Sequence, residues 1–192
     1  MALDFLKDKS IRVFLALPLA PLFQTHVEPL ISQGRKRFPS IRWANPAEIH
    51  LTLHFFGSID LKSIENINRA VEPLVSNTKE LTVYLSGLGG FPNLRRPRVV
   101  WLGIQGEINR LECLRSEIEE KLGKIGFPSE KRDFLPHLTL ARIKVQQGDL
   151  NLKTLIFKNT PARPVKEIVL FQSHLGPLGA RYETIKTFPF AN

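Results

Sequence analysis

His50-Leu51-Thr52-Leu53, which opens the stretch His50-Leu51-Thr52-Leu53-His54-Phe55-Phe56-Gly57, recurs letter for letter as His137-Leu138-Thr139-Leu140, close to half the chain further on. The two copies hold two of the five histidines. Each opens a run in which polar and apolar residues alternate, the pattern of a strand with one face in a core. Alternate side chains of a strand share a face, so His50 and Thr52 project together while Leu51 and Leu53 point inward. The second copy repeats that parity with His137 and Thr139 outward. An interval near half the chain predicts a duplicated fold in which each half delivers one copy to a shared cleft.

Working outward, Ile11 to Leu17 reads as a strand, Pro21 to about Arg37 as a helix with proline in its first turn, and Ile41 to Trp43 as a short extended piece. The first motif strand ends at Gly57, after which Asp60 is placed to cap a helix carrying Ile64, Ile67, Val71 and Leu74. Leu81 to Leu88 and Val99 to Ile104 are two further strands, joined by the basic loop Gly89 to Arg98. A helix from about Glu107 to Gly123 precedes the turn Gly126-Phe127-Pro128 and the second motif strand, His137 to Ile143. Val165 to Gln172 and Arg181 to Phe188 supply the last strands. Strands and helices thus alternate in two comparable sets with no low-complexity linker between them, which predicts one two-lobed domain over residues 1–192.

Composition agrees with that size: 192 residues, 43% hydrophobic and 23% charged, suit one globular domain with a sizeable core. Lys and Arg outnumber Asp and Glu by 27 to 18, a net charge of +9 that favours anionic partners such as nucleic acid. The only cysteine, Cys113, excludes a disulfide framework within one chain and points to a reducing cytoplasm. It falls within the helical pattern of Ile108, Leu111, Leu114, Ile118 and Leu122, which predicts a buried structural thiol rather than a nucleophile. The apolar run Val13 to Phe23, with Lys7, Lys9 and Arg12 upstream, imitates a signal peptide. Pro18 and Pro21 interrupt it, Asp4 and Asp8 dilute its positive flank, and no small-x-small cleavage site follows. No apolar run is long enough to span a bilayer, so the expectation is a soluble, cytoplasmic protein with an N-terminal core strand.

If the two motif strands lie side by side, two imidazoles and two hydroxyls converge on one cavity. Cleaving a phosphodiester requires one group to take a proton from the nucleophile and another to protonate the leaving oxygen. Histidine suits both tasks, because its ordinary pKa of about 6.5 lets one ring be neutral and the other charged near neutral pH. Each such transfer contributes about 10²–10⁴ in rate. The hydroxyls of Thr52 and Thr139 can donate to nonbridging phosphate oxygens, where charge develops, without adding another titrating group. A lone His-x-Thr is usually an exposed strand face; the duplication with matched parity favours the catalytic reading, which needs neither metal nor cofactor.

Other candidate sites are weaker. His54 stands four residues after His50, a zinc spacing on a helix, but on a strand the two Cα atoms lie about 13 Å apart. Strict alternation places His54 on the face of His50 and Thr52, as a rim or structural residue. Ser86-Gly87-Leu88-Gly89-Gly90-Phe91 lacks both GxGxxG and a Walker lysine and reads as a turn. His26 and His174 have no partner pattern. Arg142, five residues after His137, is a phosphate-binding candidate only if its strand bulges. Arg95, Arg96 and Arg98, with Arg35, Lys36 and Arg37, are candidate RNA-backbone contacts, although a solvated surface explains them equally well. Phe56, Trp43 and Trp101 are candidate base-stacking residues that more often fill a core.

With these residues in hand, the chain resembles the two-histidine phosphoesterase superfamily and, within it, the bacterial and archaeal RNA 2′,3′-cyclic phosphodiesterases once named 2′-5′ RNA ligases. The likeness spans Arg12-Val13-Phe14-Leu15-Ala16, the whole stretch His50 to Gly57, Arg98-Val99-Val100-Trp101-Leu102-Gly103, Pro136-His137-Leu138-Thr139-Leu140-Ala141-Arg142 and the segment around Arg181-Tyr182. The resemblance implies a bilobed, duplicated α+β fold, with two antiparallel sheets flanked by outer helices around a central cleft. It also implies that His50 protonates the leaving 3′ oxygen of an RNA 2′,3′-cyclic phosphate, that His137 activates water, and that Thr52 and Thr139 hold the phosphate. The product would be a 2′-phosphomonoester, and the reverse joining of a cyclic end to a 5′-hydroxyl is implied by the shared transition state. A 2′-5′ oligonucleotide, a small cyclic nucleotide phosphate, and noncatalytic RNA binding in a basic cleft remain as alternatives. No membrane and no obligate protein partner is expected.

Overall fold

The computed structural model describes residues 10–128, 133–144, 150–176 and 179–191. The flank Asp4 to Lys9 weighed against a signal peptide therefore lies outside the described residues. In chain order the elements are β1 (Ile11–Pro18), α1 (Ala20–Arg37), β2 (Arg42–Trp43), β3 (His50–Ile59), α2 (Leu61–Ser76), β4 (Leu81–Phe91), β5 (Val99–Gly106), α3 (Ile108–Lys124), β6 (His137–Arg142), β7 (Arg163–Val165), β8 (Glu167–Gly176) and β9 (Gly179–Pro189). Short 3-10 turns at Pro46–Glu48 and Leu152–Thr154 complete the path. The strands form two antiparallel sheets, one in the order β3-β1-β8-β9 and the other β2-β6-β5-β4-β7. The α+β class and the paired sheets are as the sequence predicts.

The apolar run that imitates a signal peptide is a central strand. β1 is flanked by β3 and β8, and Val13, Leu15 and Leu17 are fully buried in the core while Phe14 and Ala16 are buried on the opposite face. Pro18 ends the strand, and Pro21 sits in the first turn of α1, where no amide hydrogen bond is lost. Gly34 in α1 is required by packing: a Cβ there would lie 2.3 Å from the Trp43 indole, which crosses the helix and donates from Nε1 to the Phe38 carbonyl at 3.2 Å. Trp43 is thus a core residue and no stacking platform.

Asp60 caps α2 as expected, its Oδ1 accepting from the Ser63 amide at 2.8 Å. Ile67, Val71 and Val75 form the buried stripe of α2, and Leu111, Leu114, Ile118 and Leu122 that of α3. The two helices pack against each other, and α2 also packs against β9, so the core runs continuously from one sheet to the other. Two expectations fail. Cys113 is exposed, because it lies between Leu111 and Leu114 and off the buried stripe. Ser86 to Phe91 is not a turn but the second half of β4, with a bulge between Ser86 and Leu88, and the loop begins only at Pro92.

Candidate active site

β3 is the edge strand of its sheet, and β6 lies one place in from the edge of the other, beside the two-residue β2. These two strands pack against each other, so the repeated motifs meet at the junction of the sheets. Within each motif the predicted parity holds: Leu51, Leu53, Leu138 and Leu140 are buried, while Thr52 is exposed and His50, His137 and Thr139 are half-buried.

Past the threonine, strict alternation fails in both copies at the same place. In β3, Thr52 opposes Ala16 and His54 opposes Leu15, leaving Leu53 as the extra residue of a bulge. In β6, Thr139 opposes Trp101 and Ala141 opposes Val100, leaving Leu140 as the extra residue. The bulge turns His54 inward, to 6% exposure, where its ring packs against Phe56 at 4.6 Å. His54 is therefore not on the face of His50, contrary to the alternation. The same slip carries Phe55 and Arg142 outward, onto the faces of the two catalytic candidates. The Arg115 guanidinium of α3 supports the first bulge, donating from Nε to the Leu53 carbonyl at 3.1 Å and lying 4.3 Å above the Phe134 ring.

The two imidazoles are held alike. Nδ1 of His50 donates to the Glu48 carbonyl at 2.9 Å, and Nδ1 of His137 to the Leu135 carbonyl at 2.7 Å. A carbonyl only accepts, so each Nδ1 carries the proton and each Nε2 is left with a free lone pair. His50 lies against Phe14 at 4.8 Å and the edge of Tyr182 at 5.0 Å; His137 lies against Phe91 at 5.1 Å and Trp101 at 6.1 Å. This apolar packing removes solvent from the imidazolium form. Burial, reinforced by the charges of Arg142 and His137 and opposed by the Glu48 hydrogen bond, lowers the His50 pKa to about 4. His137 is also lowered, by burial first and then by Arg142, against the Leu135 hydrogen bond. Burial thus favours the neutral form of both rings in the unliganded protein.

Arg142 follows the second bulge onto the face of His137, and its charge acts on His50, His137 and Tyr182 together. Among the described residues no carboxylate pairs with it at ion-pair distance. Arg42 stands directly opposite Arg142 in the β2–β6 ladder and donates from Nη2 to the Gly176 carbonyl at 3.3 Å, linking the second sheet to the β8–β9 hairpin of the first. Two arginines side by side, with no carboxylate paired to either among the described residues, are suited by charge to an anion. The hydroxyls of Thr52 and Thr139 have no hydrogen-bond partner among the described residues. Nor do three or more His, Cys, Asp or Glu side chains come together there in a way that could hold a metal ion.

Comparison with known proteins accounts for this doubled arrangement. The 2′-5′ RNA ligase superfamily matches residues 23–175, a span that holds both motifs. The chain belongs to this superfamily. Two curated relatives are each named RNA 2′,3′-cyclic phosphodiesterase. The one from Methanothermobacter thermautotrophicus is 30% identical over 93% of this chain and 98% of its own. The one from Methanocaldococcus jannaschii is 31% identical over 91% of this chain and 98% of its own. A Thermus thermophilus protein of known crystal structure superposes with a TM-score of 0.76 at 26% identity, covering 94% of this chain and 98% of that one.

In this superfamily member the remaining sequence candidates separate clearly. Trp101 is half-buried beside His137, and Phe56, also half-buried, packs between His54 and Phe127 against the core. His174 pairs with Glu183 at 3.0 Å on the exposed β8–β9 hairpin, and His26 is half-buried on α1, its ring edge-on to Phe23 at 6.4 Å. Arg35 and Arg37 donate to the carbonyls of Ala44 and Thr154 and serve the fold. Arg42, Phe91 and Phe171 enter the site unannounced by any local sequence pattern, and Phe14 and Tyr182, which lie in segments that carry the resemblance, reach His50 through sheet neighbours.

Proposed function

We propose that this protein hydrolyses the terminal 2′,3′-cyclic phosphate of RNA to a 2′-phosphomonoester, a reading carried by the two mirrored His-x-Thr strand ends that share one guanidinium. Water attacks phosphorus as His137 Nε2 takes its proton; the P–O3′ bond breaks as His50 Nε2–H protonates the leaving oxygen. Burial lowers the pKa of both rings and so leaves each a ready base in the free site, and the donor role of His50 is the one that the family resemblance implies. The anionic substrate supplies what the free site lacks. Docked against Arg142, the phosphate offsets that charge and raises the proton affinity of His50, so the donor is loaded when substrate is bound. Thr52 and Thr139 donate to the nonbridging oxygens. Two imidazoles, two hydroxyls and one guanidinium cover proton transfer and charge neutralisation, so the reading calls for no metal or cofactor.

The names of the curated relatives support this substrate, and the excess of basic residues suits a polyanionic partner. No helix among the described residues is long and apolar enough to cross a membrane. A single cysteine suits a reducing cytoplasm, where we place the enzyme. The test is incubation with an RNA ending in a 2′,3′-cyclic phosphate in excess chelator, with the monoester identified by phosphorus NMR. His50→Ala and His137→Ala should each lower kcat by about 10²–10⁴ with the fold intact. Full activity in either variant, a 3′-monoester product, or loss of turnover in chelator overturns the reading.

A further inference from the structure

Each imidazole is aimed by a main-chain carbonyl two residues upstream, so the path of the chain just before each motif strand sets where its Nε2 points. The two approaches are secured differently. Before His50, Asn45 Oδ1 accepts from the Ala47 amide at 3.2 Å, and the Ile49 carbonyl accepts from the amides of Leu19 and Ala20 at 3.1 Å each. Before His137, Phe134, Leu135 and Pro136 belong to no helix or strand. The Pro136 carbonyl accepts from the Ile104 amide at 3.1 Å, but Leu135 is 46% exposed, so its side chain does not anchor the carbonyl that holds His137. That task falls to Phe134, which packs against the core.

The Phe134 ring lies under the Arg115 guanidinium, 4.3 Å away. Nε of the same guanidinium donates to the Leu53 carbonyl at 3.1 Å, on the bulge residue directly after Thr52. Its Nη2 pairs with Glu119 one turn further along α3, and the two side chains are only 14% and 15% exposed. A carboxylate on one arm of a rigid planar fork and a carbonyl on another fix its orientation, and so fix the plane against which Phe134 rests. One side chain of α3 thus touches the exit of the first motif and the entrance of the second. The motifs lie on different sheets, and among the described residues no strand pairing joins those sheets. Side-chain contacts must therefore set the spacing of the two histidines.

We infer that Arg115 is a positioning residue for the hydrolysis: by clamping Leu53 and Phe134 at once, it sets the separation of the two histidine-bearing strand ends. The inference rests on the proposed roles of His50 and His137. In-line displacement needs the base at the attacking oxygen and the donor at the leaving oxygen together, on opposite sides of one phosphorus. Each transfer requires a heavy-atom separation of about 2.6–3.2 Å, so a shift of about 1 Å at one ring breaks that transfer. Arg142, Thr52 and Thr139 would still hold the phosphate. Loss of Arg115 should therefore lower kcat and leave KM in place, the pattern of alignment lost without binding lost.

The experiment compares steady-state hydrolysis of an RNA ending in a 2′,3′-cyclic phosphate by the wild type, Arg115→Met, Arg115→Lys, Phe134→Leu and Val75→Ala, below the unfolding midpoint of each. Arg115→Met should lower kcat by about 10- to 100-fold with KM within about threefold of the wild type. Arg115→Lys keeps a donor for Leu53 and a cation for Glu119 but has no planar face, so it should recover part of that loss. Phe134→Leu leaves the helix and the bulge intact and removes the second contact, so kcat should again fall, by about fivefold or more, with KM kept. It decides the matter if Arg115→Met does not fold. Val75→Ala lies in the buried stripe of α2, which packs on α3 and β9, and should lose stability while keeping kcat within about twofold. Wild-type kcat in Arg115→Met or Phe134→Leu, a loss that appears in KM instead of kcat, or an equal fall in Val75→Ala overturns the positioning role and leaves the hydrolytic reading standing. No turnover by the wild type overturns both.

Discussion

Acidification from about pH 7.5 to about pH 5 should cost this protein roughly 2 kcal/mol through His54 alone. The ring is 6% exposed and lies against Phe56, and burial together with the nearby Arg115 charge lowers its pKa from 6.5 to about 4. In the unfolded chain the imidazole takes up a proton near its ordinary pKa, whereas in the folded protein it stays neutral until about pH 4. Between those limits the unfolded state binds more protons, so the stability contribution is complete above pH 6.5 and is lost progressively as pH falls. At about pH 5 the medium lies about 1.5 units below the unfolded value, and each unit is about 1.36 kcal/mol, which gives the figure. Urea unfolding of the wild type and His54→Leu at both pH values isolates it, because the depressed titration of His50 occurs in both proteins and cancels. The difference between the two pH-dependent losses should be about 2 kcal/mol, larger for the wild type. Equal losses within about 0.5 kcal/mol would show that His54 is hydrated and that the bulge does not seal it inward.

Three further substitutions probe the site and its supports. Arg142→Gln removes a cation that depresses both histidines of the proposed mechanism, so the limb of the pH–rate profile that reports the neutral base should move to higher pH. Its lost charge-assisted bonds should raise KM by about 10- to 100-fold, and an unmoved limb with an unchanged KM would exclude Arg142 from the phosphate site. Gly89→Ala would put a methyl group 2.1 Å from Trp101, so the indole must move, at a cost of about 1–3 kcal/mol readable in thermal unfolding together with a changed near-ultraviolet dichroism. Unchanged stability and dichroism would contradict the close packing. Arg115→Met leaves the Leu53 carbonyl without its donor and should destabilise by about 1–3 kcal/mol, with Arg115→Lys recovering only part of the loss because it cannot stack on Phe134. Equal stability of the methionine and lysine variants would refute that account.

What the sequence made legible is the local part of this design, and what it hid is decided by partners. Period-two alternation correctly aims His50 with Thr52 and His137 with Thr139, because those residues precede the bulge in each strand. Beyond the threonine, the strand pairs with β1 or β5 out of step, and no pattern within Leu53-His54-Phe55 or Leu140-Ala141-Arg142 marks that slip. The same slip buries His54 and brings Arg142 to the face of His137, so one unread feature accounts for both the misplaced residue and the undecided one. Cys113 was open to a stricter reading: at about 100° per residue it lies roughly 200° round the helix from Leu111, on the solvent side. The run Ser86 to Phe91 is instructive because its glycines resemble turn signals, yet at Gly89 the missing Cβ makes room for Trp101 within a strand. Arg42 and Tyr182 required the sheet order itself, which antiparallel pairing across distant segments sets and which local periodicity does not carry. On the proposed mechanism the motif specifies the proton-transfer pair by itself, while the groups that tune and position that pair are assembled by tertiary structure. Substitutions in those supporting residues should therefore alter pH dependence and substrate choice while leaving the two-histidine chemistry in place.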